Sequence, residues 1–337
     1  MATAGVGRAL AHVLPLLAEH PALDGITLLT DAASPPTGLG LPEVALRSPV
    51  PRYSAAWLQV SAPRWLARHR DVVFHCSWYG LPYRQPTPMT ATLHDILFEH
   101  RPEWYPRSRL AVFRAQARQA ARTARRIVTP SRYVKDDIVA TYGYDADRIV
   151  LAPHAPDPIF RPDAISAAPL PAPTDGYVVA IAGATRRRAD IAVAAWQRTE
   201  SSLPLVVIGT GDVPSADGVI RLGRLSDEAW AACLAGARAL LYPTEAEGFG
   251  LPALEAMASG TPVVCARVDS LPEVLGDDAA WAVDASVDAY ADALRGVLDD
   301  DVAHARLREA GLVRASREFS WQRSADAHAL AMAAAAG

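Results

Sequence analysis

Short apolar runs alternate with helix-like stretches along the whole chain of 337 residues. Ten of these runs predict strands, at 25–29, 71–74, 89–93, 127–129, 149–151, 177–181, 205–208, 219–222, 239–242 and 263–265. Strands that alternate with helices are typical of an α/β architecture with parallel sheets. The chain is long enough for two such domains, each with its own core.

A proline-rich stretch separates the two halves. Its members are Pro153, Pro156, Pro158, Pro162, Pro169, Pro171 and Pro173, a density that favours an extended, semi-rigid linker. We therefore predict a first Rossmann-like domain over 1–155, a linker over 156–175, a second Rossmann-like domain over 176–321 and a C-terminal helix over 322–337. The cleft between the domains is the expected site, since ligands of such folds bind at the carboxyl ends of the strands.

Composition narrows the class of protein. Half of the residues are hydrophobic and the net charge is −4, which is typical of a globular protein and excludes general nucleic-acid binding. Cys76, Cys233 and Cys265 form no metal or disulfide pattern, as expected in a reducing cytosol. No apolar run is long enough to cross a bilayer and no signal peptide is visible, so we predict a cytoplasmic location.

The stretch 239–265 carries the most information about chemistry. An apolar run is followed by the glycine-bracketed loop Glu247-Gly248-Phe249-Gly250, and Pro252 then opens a helix that ends before Gly260. A strand, a glycine loop and a helix N-terminus in this order present backbone N–H groups and a positive dipole end to an anion. Alternatively, the glutamate of the first helical turns, Glu255, merely complements the helix dipole and the glycines are turn residues.

The segments EGFGLP and LEAMASGTPVV, with Glu247 and Glu255 separated by seven residues, resemble the donor-site signature of glycosyltransferase family 4. The resemblance implies the GT-B fold, two Rossmann-like doubly wound parallel-sheet domains facing a cleft. It also implies a retaining, metal-independent enzyme. Glu247 would contact the transferred sugar as a catalytic residue, Glu255 the ribose, and the backbone of Gly248, Phe249, Gly250 and Leu251 the diphosphate.

The resemblance covers nearly the full chain. Similar segments lie at 129–138, where Ser131 is a candidate N-cap, and at 153–160, 222–226 and 319–321. In GT-B proteins the terminal helix commonly crosses back to the first domain, so residues 322–336 are expected to do so. A nucleotide sugar is expected to bind in the second domain first, after which the two domains close around it.

His94-Asp95 follows the predicted strand 89–93. The resemblance places His94 at the reacting centre, as the second candidate catalytic residue. A neutral imidazole would accept a hydrogen bond from a sugar hydroxyl, whereas an imidazolium would support the departing phosphate. From the residues alone, a strand-end histidine that bonds a backbone carbonyl is the alternative.

Near the N-terminus, Gly5-Val6-Gly7-Arg8 resembles the glycine loop of the family's first domain. Gly7 is therefore a candidate donor-binding residue, and an N-terminal tail is the alternative. The family has a strand before this loop, and here Met1 stands only four residues before Gly5. We expect that the natural start lies upstream.

The diphosphate-binding segment also departs from the family pattern. Aligned on Gly183 and Ile191, Arg188 takes the place of the family's arginine and Ala189 that of its phosphate-binding lysine. Arg186, Arg187 and Arg188 are therefore candidate donor ligands, since guanidinium binds phosphate bidentately. A solvated arginine loop, or a donor site that is weak or absent, is the alternative. Nearby, Gly209-Thr210-Gly211 either admits the nucleotide or forms an ordinary turn.

Two further charged segments have simpler interpretations. The run of three aspartates at 299–301 is interpreted as a solvated loop, and no metal is assigned to it. From Arg107 to Arg126 the chain has seven arginines and no acidic residue. This stripe either contacts anionic lipid at the inner face of the membrane or is the solvent face of a helix.

The sequence thus predicts a retaining hexosyltransferase that needs no cofactor beyond its nucleotide-diphosphate-sugar donor. The acceptor would be a glycan, a lipid-linked sugar or a small molecule. The TLHDI and EGFGLP patterns, which are frequent among mannosyltransferases of the family, favour GDP-mannose. Ala189, Ala155 and the absent first strand favour an alternative, a degenerate non-catalytic GT-B protein that binds a sugar or a partner enzyme. A sugar-nucleotide epimerase of the same fold is a third candidate.

Overall fold

The computed structural model describes residues 5–31, 38–47, 56–166 and 176–337, and the chain divides into two compact units. The first unit comprises the described residues up to His154 together with Trp321–Gly337, and the second unit is Ala155–Ser320. The predicted linker has no separate place in this division, because its described residues belong to the second unit.

The first unit contains two parallel sheets. Helix α1 (Gly5–Ala18) precedes strands β1 (Leu28–Asp31) and β2 (Glu43–Leu46), which pair with each other. A π-helical segment, Trp57–Ser61, runs into helix α2 (Ala62–Leu66). The second sheet has four strands in chain order, namely β3 (Phe74–Cys76), β4 (Met89–Thr92), β5 (Arg126–Thr129) and β6 (Ile149–Leu151).

Helices cover this four-stranded sheet. They are α3 (Leu97–His100), α4 (Arg107–Thr123), α5 (Arg132–Tyr142) and, from the end of the chain, α12 (Trp321–Ala336). As predicted, Ser131 caps α5, its side chain accepting a hydrogen bond from the backbone N–H of Val134. Helix α12 packs on α1, β5 and β6, where the small side chain of Ala331 lies against Val128 and Ala152.

The second unit is built on one six-stranded parallel sheet. Its strands are β7 (Val178–Ile181), β8 (Leu205–Ile208), β9 (Val219–Gly223), β10 (Ala239–Leu241), β11 (Val263–Ala266) and β12 (Ala280–Ala282). Their spatial order is β12-β11-β10-β7-β8-β9, the order of a Rossmann fold. The order reverses between β7 and β10, so a ligand is expected at the carboxyl ends of these two strands.

Residues alternate between the two faces of this sheet. Val179, Val206 and Leu240 pack beneath α7 (Asp227–Gly236) and α8 (Leu251–Ala258). Their neighbours in sequence pack beneath α6 (Ala189–Thr199) and α10 (Val287–Leu298). Helices α9 (Leu271–Leu275) and α11 (Asp301–Glu318) complete the unit. Both faces are buried, which explains the continuous apolar runs in the sequence.

Several local predictions differ from the structure. The predicted strands at 25–29 and 71–74 begin about three residues later, at Leu28 and Phe74. Strands β2 and β12 were not predicted. Strand β2 is short and carries only three successive apolar residues, whereas β12 lies within the apolar run 279–283, whose strand signal was missed. The glycine loop predicted at Gly5-Val6-Gly7-Arg8 is wrong: these residues form the first turn of α1, whose apolar residues at Ala9, Val13 and Leu17 recur every four positions and are buried.

The predicted linker 156–175 also differs where the structure describes it. Phe160 and Ala164 are buried in the core of the second unit, and the 3₁₀ turn Pro162–Ser166 packs against α7. Proline is compatible with the first turn of a helix, so proline density did not exclude a packed segment. Residues 167–175 lie outside the described residues. No helix in the described part of the chain is long and apolar enough to cross a membrane.

Candidate functional site

The two loops that carry the predicted donor motifs are joined to each other. One follows β7 and contains Arg186, Arg187 and Arg188, and the other follows the adjacent strand β10 and contains Glu247. The backbone N–H of Glu245 donates to the carbonyl of Arg186 at 2.9 Å, and that of Arg188 donates to the carbonyl of Pro243 at 2.9 Å. The arginine loop and the glutamate loop therefore form one structure at the point where the strand order reverses.

The carboxylate of Glu247 is held from two sides. It is 4% exposed; its Oε1 accepts hydrogen bonds from the Tyr242 hydroxyl at 2.5 Å and from Nε of Arg186 at 3.3 Å. The backbone is fixed as well, since the N–H of Glu247 donates to Asp269 at 2.9 Å and its carbonyl accepts from the Ser270 hydroxyl at 2.8 Å. Glu247 is thus a positioned acceptor in a nearly dry environment.

Helix α8 begins at Leu251, four residues after this glutamate. Gly250 adopts φ +90°, and a Cβ there would lie 2.4 Å from Cδ2 of Leu271, so both backbone and space require glycine. The side chains of Phe249 and Leu251 are buried in the core, with the Phe249 ring edge-on to Phe319. Any contact of these two residues with a ligand would therefore come from the backbone, as predicted for the loop.

The second glutamate lies on the same helix. Glu255 is 1% exposed, and its Oε2 accepts a hydrogen bond of 2.9 Å from Nε1 of Trp230 on α7. Sequence reasoning did not identify Trp230, because no local motif links residues on two different helices. The predicted donor-site carboxylates, Glu247 and Glu255, thus stand at the start and in the middle of one loop-helix segment.

The three arginines differ in their partners. Arg186 is paired with Glu247, and Arg188 is paired with Asp190 at 2.6 Å and with Glu245 at 2.5 Å. The hydrogen bonds with Asp190 and Glu245 raise the pKa of Arg188, and the bond from Arg188 lowers the pKa of Asp190.

Arg187 differs from Arg186 and Arg188 in its ion pairing. Arg187 has no ion pair with any described residue, and its buried Nε has no hydrogen-bond partner among them. It is therefore the one arginine of the run whose charge is not matched by a carboxylate in the described structure.

The structure explains why small residues stand at Ala189, Gly209 and Gly211. Ala189, which was predicted to take the place of the family's lysine, is buried where α6 begins, so this side chain packs in the core. A Cβ at Gly209 would lie 2.3 Å from the carbonyl oxygen of Ala182, and one at Gly211 would lie 2.7 Å from the backbone nitrogen of Gly183. These glycines therefore allow the loop after β8 to pack closely against the backbone of Ala182 and Gly183, after β7.

His94 and Gly7 belong to the first unit. His94 follows β4 and its Nε2 lies 3.2 Å from the carbonyl oxygen of Ser77, so Nε2 carries the proton and donates. Burial lowers the pKa of His94 to about 4, which leaves a neutral imidazole with a lone pair on Nδ1. That atom is buried and has no hydrogen-bond partner among the described residues. Of the two states considered for His94, the neutral one fits the structure.

Three more histidines lie around His94. The sequence did not predict that these four side chains come together. The three are His75 on β3, His154 after β6 and His328 on α12, and with His94 we call them the histidine cluster. The ring centroids of His94 and His154 are 5.4 Å apart, and the hydroxyl of Thr92 lies 3.1 Å from Nε2 of His75. Burial lowers the pKa of all four, that of His75 to about 3.

The charged segments named from the sequence have partners in the structure. In the predicted stripe from Arg107 to Arg126, Arg114 and Arg118 form salt bridges with Glu99 at 2.8 and 3.2 Å. Asp300 is the N-cap of α11, and its side chain accepts hydrogen bonds from the backbone N–H groups of Val302 and Ala303. Among the described residues, no group of His, Cys, Asp and Glu side chains is arranged to hold a metal ion.

Comparison with known proteins covers both units. A family model described as Glycosyltransferase Family 4 matches residues 5–158, and one described as Glycosyl transferases group 1 matches residues 176–300. The chain is 33% identical over 283 residues to O-antigen chain mannosyltransferase B of Escherichia coli, covering 77% of this chain and 73% of that protein. It is 30% identical over 257 residues to the MMP alpha-(1->4)-mannosyltransferase of Mycolicibacterium hassiacum, covering 70% of this chain and 62% of that protein.

Solved structures show the same fold. WaaG, a glycosyltransferase involved in lipopolysaccharide biosynthesis, has a TM-score of 0.73 at 15% identity and covers 98% of this chain and 97% of its own. Anabaena Alr3699/HepE, solved in complex with UDP and glucose, has a TM-score of 0.70 at 15% identity. The match covers 96% of this chain and 94% of that protein. The likeness confirms the predicted fold class, GT-B with Rossmann-like parallel-sheet α/β domains.

Proposed function

This chain belongs to glycosyltransferase family 4, and we propose that it transfers a hexose from a nucleoside diphosphate sugar to a hydroxyl group of an acceptor, retaining the anomeric configuration and using no metal ion. It is an enzyme of the glycosyltransferase class. The observation that carries the finer proposal is the arrangement of Glu247, Glu255 and the start of α8 at the strand-order reversal between β7 and β10.

Glu247 contacts the transferred sugar in this proposal. A carboxylate offers about four acceptor positions and no donor when ionised. The hydroxyl of Tyr242 and the guanidinium of Arg186 occupy part of that capacity, and sugar hydroxyls donate to the remainder. Because Glu247 is almost fully buried, its orientation is set before the donor binds, which favours electrostatic preorganisation.

The other residues of the loop-helix segment bind the ribose and the diphosphate of the nucleotide in this proposal. Glu255 accepts hydrogen bonds from the ribose hydroxyls, and the backbone of Gly248 to Leu251, at the positive end of α8, binds the diphosphate. Arg187 adds the positive charge that the family's lysine supplies. Its neighbours in sequence, Arg186 and Arg188, are already paired with carboxylates. Guanidinium is suited to this task since it binds phosphate oxygens bidentately.

His94 accepts a hydrogen bond from a hydroxyl of the transferred sugar through Nδ1. The lowered pKa keeps this imidazole neutral at physiological pH, and its Nε2–H is already used by Ser77. Gly7 stays a predicted donor-binding residue, now placed in the first turn of α1.

In the transfer step, the bond between the anomeric carbon and the diphosphate oxygen breaks and a bond to the acceptor oxygen forms. The proton of the acceptor hydroxyl passes to the diphosphate oxygen that leaves, so the products are the glycosylated acceptor and the nucleoside diphosphate. The chain stabilises the departing negative charge with Arg187 and the helix dipole, which is the task that a bound metal performs in other transferases.

The donor is proposed to be GDP-mannose, and the acceptor a glycan, a lipid-linked sugar or a small molecule. Two relatives named as mannosyltransferases support mannose. Contact of the Arg107 to Arg126 stripe with an anionic membrane has no support in the comparisons, and the pairing of Arg114 and Arg118 with Glu99 reduces the charge available for it.

The test is a thermal-shift and calorimetry panel of UDP, GDP, dTDP and ADP sugars with the wild type, Glu255→Ala and, as a control on an exposed helix face, Glu309→Ala. A cognate donor at about a hundred times its Kd should stabilise the wild type and the control by about 2.7 kcal/mol, and Glu255→Ala distinctly less. Binding of none of these donors by the folded wild type would overturn the proposal.

The product then tests the stereochemistry and the metal. With the cognate donor, NMR of the product should show the anomeric configuration of the donor, and the rate should be unchanged by EDTA. An inverted product would contradict retention, and a rate abolished by EDTA would contradict metal independence. An epimerised nucleotide sugar as the product would identify the epimerase alternative.

A further inference from the structure

Trp230 is fixed by the start of helix α7. The side chain of Ser226 caps this helix, accepting a hydrogen bond from the backbone N–H of Ala229 at 3.2 Å. The backbone N–H of Trp230 donates to the carbonyl of Ser226 at 2.9 Å. Trp230 is 9% exposed and belongs to the core beneath α7 and α8. The indole therefore has a defined position that does not depend on a ligand.

The indole N–H is directed at a carboxylate. Nε1 of Trp230 donates to Oε2 of Glu255 at 2.9 Å, and Glu255 is 1% exposed. An indole donates one hydrogen bond and accepts none, so this bond fixes the orientation of the Glu255 carboxylate. A carboxylate can accept about four hydrogen bonds in total, of which this indole supplies one.

A second buried tryptophan of the same unit shows that the fold does not require such a partner. Nε1 of Trp196 on α6 donates to the backbone carbonyl of Leu203 at 2.9 Å, and Trp196 is 7% exposed. A backbone carbonyl satisfies a core indole as well as a carboxylate does. The bond from Trp230 to Glu255 therefore calls for an explanation beyond packing.

We propose that Trp230 is a positioning residue for the nucleotide, holding the Glu255 carboxylate in the orientation that accepts hydrogen bonds from the ribose hydroxyls. This inference rests on the proposed ribose contact of Glu255. Without the indole donor, the carboxylate turns within its site, and the ribose loses its acceptors. The nucleotide base and diphosphate keep their own contacts.

The experiment compares ribose recognition in two tryptophan variants. Calorimetry with UDP, GDP and ADP selects the nucleotide that the wild type binds, and each variant is then titrated with that nucleotide and with its 2′,3′-dideoxy form. The variants are Trp230→Phe, which removes the N–H and keeps an aromatic ring, and the matched control Trp196→Phe. Glu255→Gln is included to test the ribose contact itself.

The wild type should prefer the ribonucleotide over the dideoxynucleotide. Trp230→Phe should bind the ribonucleotide about tenfold more weakly, as expected for the loss of one hydrogen bond to a charged group. Its affinity for the dideoxynucleotide should equal that of the wild type. Trp196→Phe should bind both nucleotides as the wild type does. A preference for ribose that shrinks only in Trp230→Phe and Glu255→Gln would support the inference.

Other outcomes overturn it. If Trp230→Phe keeps the full preference for ribose, or weakens both nucleotides equally, Trp230 has only a packing role. If Glu255→Gln also keeps the full preference, the proposed ribose contact of Glu255 is itself wrong. If the wild type binds none of the three nucleotides, the proposed donor site fails and the role of Trp230 fails with it.

Discussion

The hydroxyl of Tyr242 donates a hydrogen bond of 2.5 Å to Oε1 of Glu247, five residues further along the chain. Both side chains are buried, at 1% and 4% exposure. Burial, reinforced by the Glu247 carboxylate, raises the pKa of Tyr242, so the phenol keeps its proton and remains a donor. Strand β10 thus places, at its end, a fixed donor for the carboxylate that is proposed to contact the sugar.

Replacing Tyr242 with Phe should impair transfer more than nucleotide binding. The variant loses a hydrogen bond to a charged acceptor, which contributes about 1.5–3 kcal/mol, so kcat should fall by about ten- to a hundredfold. The affinity for the nucleoside diphosphate alone should stay unchanged, because Tyr242 is bonded to the sugar-side glutamate. Steady-state kinetics and calorimetry measure the two quantities.

Tyr290→Phe is the matched control, since Tyr290 is buried in the same unit but on the opposite face of the sheet. Its kcat should equal that of the wild type. Equal kcat values for Tyr242→Phe and the wild type would show that Glu247 needs no donor from Tyr242.

Replacing Arg187 with Ala should weaken diphosphate binding. A charge-assisted bond to phosphate is lost, so the affinity for the nucleoside diphosphate should fall by about tenfold or more, with a much smaller change for the nucleoside monophosphate. Arg188→Ala should lose less, because its guanidinium is paired with Asp190 and Glu245. Calorimetry of both variants with both nucleotides decides between the arginines. A larger loss in Arg188→Ala would identify Arg188 as the phosphate ligand.

The loop-helix segment of the second unit could be predicted because its signals are local. Gly250, Pro252 and Gly260 predicted a helix from about residue 253 to 259, and the structure has it at Leu251–Ala258. Glycine and proline restrict the backbone wherever they occur, so they mark loop ends without knowledge of the fold.

The side-chain partners of the candidate site could not be predicted. The bond from Trp230 to Glu255 depends on how two helices pack, and the histidine cluster joins three strand ends and the terminal helix. Such contacts follow from tertiary structure and leave no periodicity in the sequence. The Gly5 to Arg8 segment was misinterpreted for the opposite reason: a glycine pattern favoured a loop, whereas the buried face of α1 favours a helix.

Acid should destabilise the first unit through the histidine cluster. The four histidines have folded-state pKa values below the ordinary 6.5, about 3 for His75 and about 4 for His94. Between pH 6.5 and about 4 the unfolded chain therefore binds more protons than the folded one. The stability they contribute is complete above pH 6.5 and is lost as the pH falls, by about 1.4 kcal/mol per pH unit for each histidine.

Thermal unfolding between pH 7.5 and 5 measures this loss. His75 and His94 together lose about 4 kcal/mol between pH 6.5 and 5. The midpoint of the first unit should therefore fall by about 8–16 °C, at about 2–4 °C for each kcal/mol in a unit of this size. His328→Gln should show a shallower dependence than the wild type, and His69→Gln, at an exposed position, should keep the steep one. A midpoint that does not change over this range would contradict burial of neutral histidines.

Gly250→Ala should destabilise the second unit more than a glycine substitution that has only a backbone cost. At Gly250, φ is +90° and the new Cβ would meet Leu271 at 2.4 Å. Gly223 also has a positive φ, +63°, but a Cβ there would meet nothing within 4 Å. Gly223→Ala should therefore cost about 1 kcal/mol of the free energy of unfolding, whereas Gly250→Ala adds a steric term of about 1–3 kcal/mol.

Chemical denaturation of the two variants gives this difference directly. Because Leu271 must move to admit the new methyl group, Gly250→Ala should also shift the start of α8 and lower the affinity for the nucleoside diphosphate. Gly223 ends the edge strand β9, which two strands separate from β10, the strand that leads to α8. Gly223→Ala should therefore keep the affinity. Equal free energies of unfolding for the two variants would show that Leu271 moves aside at no cost, and that the loop before α8 does not depend on this glycine for its shape.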